Sequence, residues 1–566
     1  MTHSPPPPLR TDAPDATRGS VLVTFAVLAL ALLWAAEAGL ATSTETRYAE
    51  IGREMRVSGD LVVPTLNGAP HLEKPPWTYW ALAAAYVVAG ANDLAARIPG
   101  LLAGVLTLLV IRGVVYRHAP DAAPRATNAV VVLATMPAFV AQSFTVSTDA
   151  WLVLASTVAG AAVLEAVRAD GRPALRWTLA LHAALGVGML VKGPAVLVTP
   201  LVGALAAAAA RRKARLLRPF VHPLGLLVLA AVALPWYLAV DARLPGLLSE
   251  YLSRRLAGGF ASAAEFHAEH GPLVVWAPVL LGTAPWIGGA LGAVTALARD
   301  GGRRGPLVPL LAMALATPVF YTFSAARLLA YASPAVPWVA ALVVLGAPRA
   351  GAASDAATRR FSLHLGIATA ITALVVVALP LAPLVVPGAA PTLATHLAAV
   401  VAAFAAAGAV LWWRPRAAWV VALALLVGVS ATVTTWSARV GAHRPIVEVL
   451  QRLRAPGEAV GVALHKDGDW GLVPFYLGEP VRFFGYEARL SMRPPEEYAR
   501  EGFRPLDELP AWWDGPERRW LLVRAKVTNP HNDVRLRLRG STVVEVARYG
   551  RYALLTNHAG DRSEDR

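Results

Sequence analysis

The chain has 566 residues, 56% of them hydrophobic and 16% charged, with a formal charge of +15 and no cysteine. Mean hydropathy is +0.50. A soluble domain carries about 25% charged residues, so this composition excludes an ordinary soluble enzyme; the missing cysteine excludes disulfide staples and thiol or metal-thiolate chemistry.

Residues 1–20 are Pro-rich and polar and are expected to be a disordered cytoplasmic N-terminus. A spanning helix needs roughly 20 mostly apolar residues. With somewhat fewer needed where polar flanks snorkel, thirteen stretches are candidates, the fifth of them short: 21–40, 94–115, 126–141, 150–168, 177–190, 194–210, 220–240, 272–298, 306–322, 328–346, 361–384, 391–412 and 417–437. The first is too long for a signal-peptide core and has no clear cleavage site, so it reads as a retained span. Segment 77–90, with Trp77, Tyr79 and Trp80, reads as a shorter interfacial helix.

Lys and Arg sort the loops. Arg117, Arg125, Arg168, Arg172, Arg176, Arg211, Arg212, Lys213, Arg215 and Arg218 all fall on the side of the N-terminus, as do the later arginines up to Arg416. Positive loops face the cytoplasm. The expectation is a multi-pass inner-membrane protein with a cytoplasmic N-terminus and a periplasmic C-terminus. Basic residues scattered over loops do not form one face, which argues against a nucleic-acid partner. A monomer is expected.

Three segments on the outer side have room for a site: 41–93, 241–271 and everything after 437. In the first, Tyr48, Ile51 and Met55 recur at helical spacing, which predicts an amphipathic helix on the membrane surface. Lys74, in Glu73-Lys74-Pro75-Pro76-Trp77, is placed to neutralise a phosphate, or else snorkels at an interface. Asp149 opens a span, where an acid is costly without work or a partner, though Thr148-Asp149 also reads as a helix cap. Lys192, before Gly193-Pro194, breaks the positive-inside bias and suits an anionic headgroup or simple snorkelling. Arg254, Arg255, His267 and His270 cluster in the second outer loop. Arginines there suit phosphate oxygens, and Glu73 with His270 leaves a divalent metal open; a solvated charged loop accounts for them as well. Arg327 stands one turn before Tyr331, a spacing that lets both face one cavity.

The tail 438–566 turns charged and strand-like, at Ala459–Leu464, Val481–Phe484, Trp520–Val523, Thr542–Val546 and Tyr552–Leu555. Helix-like stretches Pro445–Leu453 and Pro495–Arg500 interleave, predicting a small α/β domain. Several cations around a few acids at one membrane face suit a phosphate-bearing, lipid-linked substrate and a group transfer.

Thr46-Arg47-Tyr48-Ala49-Glu50-Ile51-x-Arg53-Glu54-Met55, Ser58-Gly59-Asp60, Leu66-Asn67-Gly68 and Glu73-Lys74-Pro75-Pro76 together resemble the first external loop of the bacterial aminoarabinose transferase and protein O-mannosyltransferase group, which are GT-C glycosyltransferases. Arg97-Ile98-Pro99, Asp149, Lys192-Gly193-Pro194, Arg254, His270, Pro285-Trp286, and Tyr331 with Pro334 follow in the family's order. Pro474-Phe475-Tyr476-Leu477 and Tyr552-x-Leu554-Leu555-x-Asn557 resemble its external domain.

The resemblance implies a transmembrane GT-C module over 21–437 and a periplasmic α/β domain over 438–566. It implies inverting transfer of a sugar from a polyprenyl-phosphate donor to an envelope lipid, glycan or protein, as in lipid A modification. Glu45 and Asp149 are the catalytic candidates. Arg47, Tyr48, Lys74, Lys192, Arg254, Arg327 and Tyr331 are the substrate-binding candidates, and Glu73 with His270 the metal candidates. The family usually has Asp-Glu where this chain has Thr44-Glu45. Thr44 cannot serve as a carboxylate base, so Glu45 or Asp149 carries that load. Glu45 also fits a capping box with Thr42. A degenerate member that binds lipid without turnover, and a sugar-lipid transporter, are the alternatives. The second should place polar residues mid-span, and the spans are nearly free of them.

Overall fold

The computed structural model describes residues 39–40, 42–119, 122–246, 271–284, 286–299, 306–347, 443–463, 471–485, 502–524, 534–549 and 552–560. The expected spans 361–384, 391–412 and 417–437, and nearly all of 21–40, lie outside them, as does the helix expected at Pro495–Arg500.

Helix α1 (Ser43–Ser58) starts because Thr42 and Glu45 form a capping box, and stops at Gly59, whose φ of 71° suits a residue without Cβ. A short hairpin, β1 (Thr65–Leu66) and β2 (Ala69–Pro70), leads to α2 (Trp77–Ala89). Then come α3 (Asp93–His118), capped by Asn92; α4 (Ala122–Ala134); and α5 (Pro137–Phe144). The last two meet at 67°, where Pro137 starts a new helix. Helices α6 (Asp149–Arg168), α7 (Leu175–Lys192), α8 (Val198–Arg211) and α9 (Pro223–Arg243) follow.

Five stretches are long and apolar enough to cross a bilayer, or six with the bent pair counted, among the described residues. One of them, Leu175–Arg211, has 37 residues, about 55 Å if straight against a hydrocarbon core of about 30 Å. It folds back on itself. Lys192 reaches Asp149 at the start of α6, whereas Arg211 donates to the carbonyl of Val167 at its end, at 2.7 Å. The turn between is a 3₁₀ segment opened by Gly193, φ 67°, and Pro194. These are the two separate crossings expected at 177–190 and 194–210.

The stretch 272–298 is not one span. A 3₁₀ turn at Pro272–Trp276, α10 (Ala277–Leu280) and α11 (Ile287–Arg299) divide it. Pro272, Pro278 and Gly282 interrupt the apolar run, and the Gly282 carbonyl accepts instead from Ala138 N–H at 2.8 Å. Helix α12 (Leu307–Thr322), a 3₁₀ segment Leu329–Ala335 and α13 (Val336–Gly346) complete the described bundle. Small residues set its close contacts: a Cβ on Gly160 of α6 would stand 2.2 Å from Trp338 of α13.

Hydrogen bonds mark two ends. At one, Tyr237 bonds the Met189 carbonyl, Trp276 bonds Thr322, and Arg243 pairs with Asp60. At the other, Arg125 bonds the carbonyls of Val344 and Ala347, Arg117 and Arg168 approach Glu165, and Lys213 pairs with Asp170. The cation-rich loops gather at this second end.

The tail opens with α14 (His443–Leu453), then β3 (Ala459–Ala463), α15 (Leu472–Leu477), β4 (Arg482–Phe484) and β5 (Phe503–Arg504). It continues with α16 (Leu509–Trp513), β6 (Arg519–Arg524), α17 (Val534–Arg537), β7 (Val544–Tyr549) and β8 (Tyr552–Thr556). The sheet order is β5-β4-β3-β6-β8-β7, parallel from β5 to β6 and antiparallel beyond. Strand alternation divides its side chains. Ala463, Leu521, Val523 and Leu555 pack with Trp512 and Trp513, while Val460, Val462, Trp520, Leu522 and Leu554 share a core with Tyr48, Ile51, Met55 and Tyr86.

The sheet's second face therefore lies on α1 and α2. Helix α1 forms where the spacing predicts it, but its polar side is buried too, with Glu50 and Arg53 paired at 2.7 Å and Arg53 donating to the Gly478 carbonyl. An isolated amphipathic pattern cannot show a second protein surface covering the polar face.

Candidate functional site

Glu45 comes first in the chain, and its carboxylate is fully engaged. Oε2 accepts from Thr42 N–H, and Oε1 accepts from Arg97 Nη1 at 2.6 Å and from Val146 N–H at 3.2 Å. Arg97 also donates to the carbonyls of Phe144 and Gly39. Glu45 is 3% exposed and Arg97 1%. A buried, paired and capped carboxylate holds three segments together, and the capping reading of Glu45 describes what it does in the fold. Arg97 was legible only as a motif position; its partner is 52 residues away.

One turn on, Tyr48 packs edge-on against Tyr79, with centroids 5.5 Å apart. Arg47 lies 3.7 Å from Glu73, and His71 lies 4.0 Å from the same carboxylate. Burial, above all, pushes the Tyr48 hydroxyl up to about 12; the charges of Arg47, Glu73, Lys192 and Asp149 act on it as well. Arg47 beside it and three charged groups from three distant segments thus act on one buried phenol.

Asp149 and Lys192 meet at 2.6 Å, each side chain 12% exposed. Thr148 makes no side-chain cap; Ser147 Oγ accepts the Asp149 N–H instead. The Lys192 ammonium stands 4.7 Å from the centroid of the Tyr331 ring, which lies 4.8 Å from Tyr321. Tyr321, at the end of α12, escaped the sequence reading because it sits inside an apolar run. Lys74 Nζ donates to the Glu73 carbonyl, and the segment behind it is anchored where Trp77 meets Trp151, two residues past Asp149, at 5.7 Å. Arg327 lies between α12 and the 3₁₀ segment that carries Tyr331, at the same end. Arg47, Tyr48, Glu73, Lys74, Asp149, Lys192, Arg327 and Tyr331 therefore share one end of the molecule. Arg254 and His270 lie outside the described residues.

Among the described residues, no three His, Asp or Glu side chains stand close enough to hold a metal. Glu73 has a guanidinium and one imidazole beside it, a poor donor set for a cation.

The chain aligns in structure with crystal structures of ArnT from Cupriavidus metallidurans, one bound to undecaprenyl phosphate. That likeness covers 97% of this chain and all of the other, with a TM-score of 0.80 and 21% identity; the apo form aligns equally, at 22% identity. The chain has the GT-C fold. A family model described as dolichyl-phosphate-mannose-protein mannosyltransferase matches residues 19–249 of this GT-C chain. It is 30% identical over 341 residues to the undecaprenyl phosphate-alpha-4-amino-4-deoxy-L-arabinose arabinosyl transferase 1 of Sodalis glossinidius, 60% of each chain. To the corresponding transferase of Pseudomonas aeruginosa PAO1 it is 31% identical over 300 residues, 52% of this chain and 53% of the other. The matches thus span about half to three-fifths of those relatives. The polytopic architecture and the α/β tail agree with the expectation from sequence.

Proposed function

We propose that this protein is an inverting glycosyltransferase that moves a sugar from a polyprenyl-phosphate donor to an envelope acceptor at the outer face of the inner membrane. The observation that carries the proposal is the convergence of Arg47, Glu73, Asp149 and Lys192 around Tyr48, at the end of the bundle away from the basic loops. Likeness to aminoarabinosyl transferases adds support, as does a fold that in one solved relative holds undecaprenyl phosphate. By the positive-inside rule, the basic-loop end is cytoplasmic and the site faces the periplasm.

On this reading Lys192, Arg47 and Lys74 hold the donor phosphate, with Arg327 and Arg254 as further candidates. Tyr331, Tyr321 and Tyr48 wall the site. Asp149 takes the acceptor's proton, because Glu45 is committed to Arg97 and position 44 is threonine. The acceptor oxygen attacks the anomeric carbon from the face opposite the phosphate, and polyprenyl phosphate leaves as an anion stabilised by the cations. The threonine also keeps a second reading alive: a lipid-binding member without turnover.

Transfer of labelled sugar from an undecaprenyl-phosphate-linked donor to lipid A by the purified protein tests the proposal. Label in the lipid fraction, abolished in Asp149→Asn, is the expected result. Tight lipid binding without transfer to lipid, glycan or protein acceptors would favour the second reading.

A further inference from the structure

The carboxylate proposed as the base already grips an ammonium. Lys192 Nζ stands 2.6 Å from Oδ1, and the pair is largely buried. One carboxylate oxygen, Oδ1, is thereby turned to the lysine rather than to an incoming hydroxyl. Lys192 is also the cation best placed to change partners: a Tyr331 ring flanks it at 4.7 Å, so the ammonium keeps a stabilising contact if it turns from the acid. Both side chains retain an exposed edge on the site.

We infer that the Asp149–Lys192 pair is a latch opened by the donor: its phosphate takes Lys192 and so releases Asp149 to serve as base. The inference rests on the transferase reading and adds an order of binding, donor before acceptor. The step balances. The acceptor O–H proton passes to the freed carboxylate, and the acceptor oxygen forms the new bond to the anomeric carbon. The bond from that carbon to the phosphate oxygen breaks with its electron pair on the phosphate. Lys192, already beside that phosphate, meets the added negative charge. When polyprenyl phosphate leaves, the proton passes to water and the latch closes.

The latch predicts that removing the acid's charge frees the lysine for lipid. Asp149→Asn should bind undecaprenyl phosphate about three- to tenfold more tightly than the wild type in nanodiscs, while Lys192→Gln binds it more weakly. Unchanged or weaker binding in a folded Asp149→Asn protein overturns the inference. Tighter binding by Asp149→Asn when the wild type itself transfers no sugar supports the exchange of Lys192 from acid to phosphate and sinks the enzyme reading. Loss of transfer with unaltered lipid affinity does the reverse. The wild type supplies an independent check: a dead-end acceptor analogue should inhibit uncompetitively against the donor, and competitive inhibition refutes the order.

Discussion

Arg97 and Glu45 are 52 residues apart, and their side chains meet at 2.6 Å in the dry interior where α1, α3 and the turn after α5 converge. Removing one partner of such a pair leaves a buried charge uncompensated, at about 3–5 kcal/mol. Glu45→Gln and Arg97→Met should each lower the unfolding temperature in detergent, and the double variant should lose less than the sum. Transfer per folded Glu45→Gln molecule should fall far less than in Asp149→Asn, where loss of a general base costs about 10²–10⁴-fold. A folded, stable Glu45→Gln protein without activity would return Glu45 to the chemistry.

Tyr331 faces the Lys192 ammonium. Tyr331→Leu should raise the donor KM by roughly two- to thirtyfold, the range of a partly desolvated cation–π contact, with a smaller change in kcat. Tyr331→Phe, which keeps the ring, should restore most of the loss in initial-rate assays.

One amide bridges the tail and the first outer loop from both of its polar atoms. Asn67 donates from Nδ2 to the Val481 carbonyl at 2.8 Å and accepts the Val481 N–H at 3.1 Å. Asn67→Ala orphans two buried backbone groups, at about 1–3 kcal/mol each. Faster amide exchange in β4 and α15, with the bundle unaffected, is the expected outcome.

The turn after α1 should loosen in acid. Asp60 is slightly desolvated, but the N–H groups of Val62 and Val63 and the Arg243 guanidinium outweigh that and hold its carboxyl below the usual 3.8. A depressed folded value contributes stability above the unfolded value and loses it as pH falls through the folded one. The stability gap between the wild type and Asp60→Asn, read by thermal unfolding, should be constant above pH ~5 and close below about 3.8.

Having no cysteine, the chain is a clean background for labelling. Glu517→Cys, on an exposed surface of the tail, should react with an impermeant maleimide once the outer membrane is permeabilised. Arg212→Cys, at the basic end, should react only after lysis. The reverse pattern would turn the molecule over and remove the periplasmic site.

The helices from Asp93 to Arg243 were legible because each is a local matter of apolar length, cap and breaker, except that the single span expected at 126–141 is broken by 67° before Pro137 into α4 and α5. The Gly193-Pro194 turn between α7 and α8 was legible for the same reason, and so were β3, β6 and β8 of the tail, whose apolar runs are short and stand in a charged stretch of chain. The site was legible in its residues but not in its pairings. Asp149 read equally as a cap and as an acid with work or a partner, since a helix start looks the same in both cases; the structure supplies the partner, Lys192. Glu45 was drawn toward catalysis by the motif around it, and no local pattern reveals that Arg97 comes back to cover it.

Composition, the spacing of apolar runs and the loop charges determined that this is a polytopic membrane protein with its densest basic loops on one side. Those properties are sums over neighbours in the chain, and bilayer thickness imposes them whatever the packing. Which acid is neutralised, which lysine it holds and which face of α1 is covered were decided only by tertiary structure. Burial and charge pairing act between groups tens to hundreds of residues apart, and their energies depend on ångström-scale distances that linear order does not contain.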